Sequence, residues 1–419
     1  MAKHALFALV TIALGVLAGA FAWGFFFLMN AGIGFLWETI PDALGQAGFP
    51  AVFYPIVFCT AGGLAIGLFT SRFGDYPQGM NTVLAEVKKT GRYEYKHIFS
   101  SFFGALLPLL FGGSIGPEAG LTGVIAGLCT WVGDRLRAVG AEMRALTEAG
   151  CAAVISAIFA TPLFGLAVPV VGAADDSQGS MLSADKIKLD VSKPVKMAVY
   201  LLAAAGALGA MMLLGMLFGS IGGLPHFSDI EMGLAELIWF APLTIIGIAA
   251  GWLFYPAGAV ARKISDAMGG HTIIKPVVGG ILLGLCGTVL PFAMFAGEAQ
   301  TEELSEIWTT MLPAVLIATG FAKVIMTQFC LNLGWRGGHF FPIIFAGISI
   351  GYGMALLCDA DPVFCLCVVT AALMGVVMRQ PVMGALLLFL VFPIRSIIVL
   401  LAAAALASLV PVPSKWLKK

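Results

Sequence analysis

The chain alternates between long apolar segments and short polar intervals. An α-helix of about 20 residues crosses the hydrocarbon core of a bilayer, and most of the apolar segments approach or exceed that length. They lie near residues 5–36, 50–71, 99–133, 149–171, 197–222, 233–262, 273–296, 309–332, 339–358, 363–378 and 381–411. The pattern predicts an all-α integral membrane protein with many crossings. The first segment is interpreted as a membrane helix and not as a signal peptide.

The polar intervals carry clusters of basic side chains. Lysine and arginine are concentrated in the stretches 71–96, 134–148 and 173–196, and again at Lys415, Lys418 and Lys419. Short loops rich in these residues stay on the cytoplasmic side of a membrane. We therefore predict a multi-pass protein of the plasma membrane with both termini in the cytoplasm.

Composition excludes several other classes of protein. Of the 419 residues, 60% are hydrophobic and 11% are charged, and 23 Lys+Arg balance 23 Asp+Glu; soluble domains carry roughly 25% charged residues. The charge balance also argues against nucleic acid as a partner. Glycine and proline number 52 and 21, although both are unfavourable inside helices. Interrupted helices are tolerated at membrane depth where they line a cavity, so this composition favours transport.

Two pairs of motifs recur in the same order in the two halves of the chain. Gly112–Pro117 and Gly337–Pro342 share the pattern Gly-Gly-x-x-x-Pro, and Pro162–Gly165 and Pro381–Gly384 share Pro-x-x-Gly at a similar offset. Chance matches are the alternative in so glycine-rich a chain. Because many transporters are built from inverted repeats, we predict one membrane repeat at 1–225 and a second at 226–419, with no separate soluble domain.

A helix that begins inside the membrane after such a break can bind an anion without a charged side chain. Its first N–H groups lie outside its own hydrogen-bond ladder, and its dipole is positive at that end. Glycine lets an ion approach the backbone, and proline in the first turn sacrifices no needed donor. A single break is explained as well by close packing or a kink; two breaks in corresponding places favour a shared anion site.

Few ionisable residues lie in or near the apolar segments. Glu118 follows Pro117 directly, where it could block an anion site when charged and release it when protonated; a plain helix-start carboxylate is the alternative. His339 precedes the second broken helix and is either a proton-path residue or a structural donor. Lys323 and Arg336 are expected near the start of this second glycine-rich loop, and structural roles are expected for both of them and for Arg379 and Arg395. Glu298 is expected in a solvated loop.

These motifs resemble those of the CLC family of chloride channels and chloride/proton antiporters. Gly79–Val83, Gly113–Pro117 and Gly338–Pro342 are similar to its three motifs Gly-Ser-Gly-Ile-Pro, Gly-Lys/Arg-Glu-Gly-Pro and Gly-x-Phe-x-Pro. Pro162–Gly165 resembles its Pro-Leu-x-Gly helix, and Lys275–Gly280 resembles the start of its second half. The resemblance implies a homodimer of two-repeat subunits, each with its own anion pathway.

The departures from the family motifs bear on the ion and its coupling. Met80 and Asn81 stand where the family's anion-binding serine is expected, and such a replacement is typical of the fluoride-exporting branch. Ile115 occupies the position of the family's gating glutamate. Glu118 lies three residues later, and because residues three apart share a helix face, its side chain could still reach the same pathway. The family's inner proton glutamate is absent from the corresponding stretch 170–172, and Asp175 and Asp176 follow only further on. The family's pore tyrosine near the C-terminus is also missing, since the last tyrosine is Tyr352.

Together these features predict a halide transporter that carries fluoride or chloride, with a lean toward fluoride and toward antiport with protons; a passive anion channel is the alternative. A cation-coupled carrier is a weaker candidate. The five histidines do not pair with acids at metal or nucleophile spacing, so no enzyme activity, metal or cofactor is expected. Expected partners are a halide, protons, membrane lipid and a second copy. The expected anion-binding residues are Met80, Asn81, Ile115, Gly116, Gly338, His339, Phe340 and Phe341, and the expected gate and proton-coupling residues are Glu118 and His339.

Overall fold

A computed structural model describes residues 2–135, 141–159, 193–219, 224–227, 229–358, 360–389, 391–413 and 416. Across these residues the regular structure is helical, apart from one isolated β-bridge between Gly116 and Gly338. The predicted all-α fold is therefore confirmed. The α-helices in chain order are α1 (Ala2–Gly34), α2 (Ile40–Gln46), α3 (Tyr54–Phe73), α4 (Met80–Thr90), α5 (Ile98–Leu110), α6 (Glu118–Arg135), α7 (Ala141–Ile158), α8 (Lys193–Phe218), α9 (Leu234–Ala267), α10 (Ile274–Val289), α11 (Glu298–Ile307), α12 (Pro313–Asn332), α13 (Phe340–Ala355), α14 (Pro362–Met378), α15 (Pro381–Leu388) and α16 (Ile397–Ser408).

Several of these helices are long and apolar enough to cross a membrane. In the described part of the chain, the qualifying stretches are Ala8–Gln46, Ala51–Phe73, Ala198–Phe218, Glu236–Ala267 and Pro313–Asn332. Shorter apolar helices, among them Ile98–Leu110, Phe340–Ala355 and Pro362–Met378, accompany them. Their apolar side chains are the reason for the positive mean hydropathy of +0.98.

The chain forms two compact units that interleave in sequence. Unit 1 contains Met1–Ala31, Asp75–Leu106 and Glu118–Ile221; unit 2 contains Gly32–Gly74, Leu107–Pro117 and Gly222–Lys419. Unit 1 includes α4 and α6 to α8, and unit 2 includes α3 and α9 to α16. The repeat boundary at 225/226 stays a prediction.

Unit 2 has a core of short helices that are buried on nearly all sides. Almost every residue of α13 and α14 is inaccessible to solvent, from Phe340 to Gly353 and from Phe364 to Met378. A small residue at their contact makes this close packing possible. A Cβ atom on Gly347 would lie only 2.6 Å from the Cα atom of Thr370, well inside the ~3.5–4.0 Å of an optimal carbon contact. The two backbones therefore meet directly.

The predicted segments differ from the helices at two breaks. The interval 99–133 consists of α5 and α6 with a loop between them, as the Gly-Gly-x-x-x-Pro motif predicts. The interval 381–411, taken as a single apolar segment, contains α15, a 3₁₀ turn at Ile394–Ser396 and α16. Pro393 explains the second break, since proline has no N–H for an α-helical hydrogen bond and clashes with the preceding turn.

Some motif predictions fall where the structure gives no description. Pro162–Gly165, the 170–172 stretch, Asp175 and Asp176 lie outside the described residues.

Candidate functional site

The first glycine-rich loop is shaped by backbone conformations that only glycine adopts easily. α5 ends at Leu110, and Gly112 has a φ of +83°. A side chain on Gly112 would also collide with its surroundings, because its Cβ atom would lie 2.7 Å from Met294 Cε and 2.9 Å from a Trp37 ring carbon. The Gly113 N–H donates back to the Pro108 carbonyl at 2.8 Å. These constraints turn the chain sharply before Ser114.

The second glycine-rich loop is anchored by a buried tryptophan. Gly334 has a φ of +92°, and Trp335 directly after it is fully buried. The indole Nε1–H donates to the Pro276 carbonyl at 2.9 Å, and the Trp335 backbone N–H donates to the Cys330 carbonyl at 3.0 Å. The loop is thereby tied to the start of α10 and the end of α12.

The two loops meet in a reciprocal pair of backbone hydrogen bonds. The Gly116 N–H donates to the Gly338 carbonyl at 2.8 Å, and the Gly338 N–H donates to the Gly116 carbonyl at 2.7 Å. Beside this bridge, the fully buried Ile115 side chain lies against Gly337, whose Cβ position would be 2.6 Å from Ile115 Cδ1. Tertiary structure thus brings together two glycine motifs more than two hundred residues apart.

The bridge occupies two backbone N–H groups. In this conformation the N–H groups of Gly116 and Gly338 bond to each other's carbonyls. These two glycines hold the loops together. The N-terminus of α13, at Phe340, is the positive end of that helix's dipole.

His339, Phe340 and Phe341 form the beginning of α13. His339 is the N-cap residue and is half-buried, whereas Phe340 and Phe341 are buried. The imidazole ring lies 4.8 Å from the Phe340 ring and 5.5 Å from the Phe254 ring of α9, measured between centroids. The His339 side chain at the N-terminus of α13 therefore lies against two aromatic rings.

Three of the expected site residues belong to unit 1. Met80 is the first residue of α4 and is buried, and Asn81 beside it is half-buried. Glu118 is the first residue of α6 and is 1% exposed. The Thr122 hydroxyl donates to the Glu118 carbonyl at 2.7 Å within the same helix. Glu118 is thus a helix-start carboxylate that is buried within the protein.

Two ionisable residues have positions that differ from the expectation. Lys323, expected near the start of the second loop, lies in the interior of α12 and is completely buried. Glu298, expected in a solvated loop, begins α11 and is 8% exposed. The sequence contained a signal for each: Lys323 is a lone basic residue inside an apolar segment, and Glu298 follows Gly297, whose N–H donates to Gln300 Oε1 at 3.2 Å.

Arg379 has the structural role that was expected of it, whereas Arg395 lies exposed on the surface. Arg379 Nη1 donates to the Val410 carbonyl at 2.9 Å, just beyond the end of α16. Arg395 forms a long, exposed ion pair with Asp229 at 3.9 Å. Across the described residues, no three His, Cys, Asp or Glu side chains are grouped closely enough to hold a metal ion.

Comparison with known proteins identifies the family. The sequence profile described as voltage gated chloride channel matches residues 62–173 and 179–411. The chain belongs to the CLC voltage-gated chloride channel family. It is consequently an ion-transport protein of the membrane, and the resemblance seen in its motifs is confirmed.

CLC relatives cover most of the chain. "Putative ion-transport protein YfeO" of Escherichia fergusonii is 27% identical over 367 residues, which are 85% of this chain and 80% of that protein. The protein of the same name from Escherichia coli O7:K1 is 28% identical over 367 residues, again 85% of this chain and 80% of that protein. The similarity to these relatives therefore extends over most of both chains.

Solved CLC structures share the fold. A CLC-type fluoride/proton antiporter superposes with a TM-score of 0.72 at 19% identity, covering 97% of this chain and 95% of that one. A slow cyanobacterial Cl⁻/H⁺ antiporter superposes with a TM-score of 0.75 at 18% identity, covering 96% and 94%. These likenesses establish the CLC fold; the ion and its coupling are separate questions.

Proposed function

We propose that this CLC protein transports halide ions, with fluoride preferred to chloride, in exchange for protons. The observation that carries the proposal is the pair of glycine-rich loops joined at Gly116 and Gly338 directly before the buried helix α13, in a chain of the CLC family. A small anion gains from the positive end of a helix and from close approach to glycine backbone.

Within unit 2, the residues proposed to form the anion site are Ile115, Gly116, Gly338, His339, Phe340 and Phe341, of which the two glycines shape the site while their N–H groups stay in the bridge. The burial of Phe340 and Phe341 excludes water around the helix start, which strengthens the interaction of an anion with the helix dipole. Ile115 contributes an apolar wall. Binding that relies on backbone dipoles is moderate in strength, as a transported ion requires.

The residues proposed from unit 1 have roles that rest on the sequence. Met80 and Asn81 replace the serine of the family motif, and this replacement supports the preference for fluoride. Glu118 is the protonatable gate, and its burial supports the role because a buried carboxylate is costly to keep charged. His339 is the second proton-relay candidate, since an imidazole can both accept and donate a proton.

Purified protein in liposomes tests the ion and the coupling together. Vesicles loaded with fluoride or chloride are diluted into halide-free buffer, and halide efflux and external pH are followed at the same time. Faster fluoride than chloride efflux, with protons driven against their gradient, is the expected result. Equal fluxes would refute the fluoride preference, and efflux without proton movement would refute the coupling.

Glu118→Gln tests the gate. We expect halide movement to continue while proton movement is lost, because the amide does not carry the proton. Glu302→Gln is the matched control, since Glu302 is an exposed carboxylate near the start of α11. Unchanged coupling in Glu118→Gln would show that the gate lies elsewhere.

A passive anion channel is the second candidate. The observation that favours it is Ile115, a fully buried apolar side chain in the position where the resemblance places the gating glutamate. A channel would give halide currents that reverse at the halide equilibrium potential whatever the pH gradient. An antiporter reverses at a potential that shifts with the pH gradient.

The remaining proposals concern assembly and location. The homodimer follows from the CLC resemblance, and cross-linking in native membranes tests it. Residence in the plasma membrane with cytoplasmic termini follows from the basic loops. Reporter fusions that are active only outside the cytoplasm when placed after Lys419 would refute the orientation.

A further inference from the structure

Lys323 is an unusual residue for the middle of a membrane helix. It lies in α12, and of the lysine and arginine side chains whose burial the structure describes it alone is buried, with 0% exposure. Removing an ammonium group from water is costly unless polar groups replace the lost hydration. The contacts of this side chain therefore indicate its role.

Three backbone carbonyls converge on the Lys323 ammonium. Nζ donates to the carbonyls of Phe292 at 3.3 Å and Phe295 at 2.7 Å, and also to that of Met294. The Phe345 ring centroid lies 4.8 Å from Nζ, so the π-face adds a further favourable contact. The turn that follows α10 is thus folded around the Lys323 amino group. Phe295 adopts a φ of +62° there, which is uncommon for a non-glycine residue.

This turn is bonded to the first glycine-rich loop. The Phe295 N–H donates to the Gly112 carbonyl at 2.9 Å, and the Phe295 carbonyl accepts from Lys323 Nζ. Phe295 therefore connects the loop to the lysine. Met294 also lies against Gly112. Moving the ammonium would move the turn, and moving the turn would release Gly112.

A second link runs from the same helix to the same loop. Thr327 lies one turn after Lys323, and its hydroxyl donates to the Lys323 carbonyl at 2.8 Å. The Thr327 and Ser114 hydroxyl oxygens are 3.3 Å apart and hydrogen-bonded. Gly112 is therefore linked to Lys323 through the 292–295 turn, and Ser114 is linked to the same turn of α12 through Thr327.

We propose that Lys323 is a positioning residue that holds the 112–116 loop against the 337–339 loop. The carbonyl turn at 292–295 is a monovalent-cation cradle that the chain fills with its own ammonium, and the filled cradle sets the position of Gly112. Through the Gly116–Gly338 bridge, this contact determines the geometry at the start of α13. The consequence for transport rests on the proposed function; the consequence for loop order does not.

Amide hydrogen exchange tests loop order directly. Lys323→Met keeps a long unbranched side chain and removes the charge, and Lys263→Met is the control because Lys263 is an exposed lysine in the same unit. In Lys323→Met, loss of a charge-assisted hydrogen-bond cluster is expected to speed exchange in peptides 107–117 and 333–341 about tenfold. Peptides from α14 are expected to exchange as in the native protein.

The pattern of exchange separates positioning from general stabilisation. Faster exchange in α14 by the same factor would show that Lys323 supports the whole unit and would overturn the proposal, as would native exchange in both loops. If Lys323→Met does not fold, Thr327→Val decides, because it keeps the Lys323 side chain and removes the Thr327 hydroxyl with its hydrogen bonds to Ser114 and to the Lys323 carbonyl. Faster exchange confined to 107–117 then supports the proposal, and native exchange overturns it.

Halide flux tests the effect of Lys323 on transport. We expect the halide concentration for half-maximal flux to rise about tenfold in Lys323→Met, the ratio that corresponds to roughly 1.4 kcal/mol, with no change in Lys263→Met. An unchanged half-maximal concentration beside faster loop exchange would overturn the effect on the ion site. Absence of halide flux in the native protein would refute the proposed function, while the exchange result would still decide the role of Lys323 in loop order.

Discussion

A methyl group added at Gly337 should separate the two glycine-rich loops. In Gly337→Ala the new Cβ atom would lie 2.6 Å from Ile115 Cδ1, 2.8 Å from Ile115 Cβ and 2.9 Å from the Gly116 oxygen. Carbon atoms in good contact are about 3.5–4.0 Å apart. The loops must therefore move apart by roughly 1 Å, since Ile115 is fully buried and has no open space to enter.

That displacement is enough to break the bridge. The two hydrogen bonds between Gly116 and Gly338 are 2.8 and 2.7 Å long, and an added ångström takes both beyond the ~3.2 Å limit of an ordinary N–H···O bond. Each such bond contributes about 0.5–1.5 kcal/mol net, so the loss is about 1–3 kcal/mol. Strain from the overpacked methyl adds about 1–3 kcal/mol.

Thermal unfolding in detergent and halide efflux from liposomes measure the two consequences. Gly337→Ala should unfold at a lower temperature and transport more slowly, and adding Ile115→Ala should recover part of both losses because it removes the shortest of the three close contacts, the one with Ile115 Cδ1. Gly209→Ala is the control, since its Cβ position has nothing within 4 Å. Native stability and flux in Gly337→Ala, or a double variant no better than the single, would refute the reasoning.

Three other substitutions have separable outcomes. Trp335→Phe should lower the unfolding temperature, because it leaves the buried Pro276 carbonyl without the indole donor, at a cost of about 1–3 kcal/mol. Asp361→Ala should destabilise α14 by about 0.5–2 kcal/mol, as its carboxylate accepts the Phe364 N–H at 2.8 Å; Asp361→Ser should recover most of this. Arg92→Met should change stability by less than about 1 kcal/mol, since the ion pair with Asp134 that it removes is exposed. Unfolding temperatures test all three substitutions.

The interruption between α5 and α6 was predictable because its causes are local. Gly112 needs a positive φ, and Pro117 favours the first turn of a new helix. Both preferences depend on the residue and its immediate neighbours. The same reasoning could have found the break at Pro393, which was missed because long apolar runs flank it on both sides and only Arg395 and Ser396 interrupt them.

Lys323 shows where such reasoning fails. Its position in an apolar segment marks it as costly, but the segment does not reveal that the carbonyls of 292–295 enclose the ammonium. Those carbonyls come from a turn about thirty residues earlier, after a different helix. A residue placed near the loop by sequence therefore proves to be the centre of a carbonyl cradle.

The sequence by itself determined that this is a polytopic helical membrane protein with glycine-proline breaks, because hydrophobic length and backbone preference are properties of short segments. Its motifs also determined the CLC resemblance. Only the tertiary structure decided that Gly116 bonds to Gly338, that Ile115 packs on Gly337 and that Lys323 is enclosed by the 292–295 turn. Each is a contact between segments distant in the chain, and its free energy depends on the packing that brings them together.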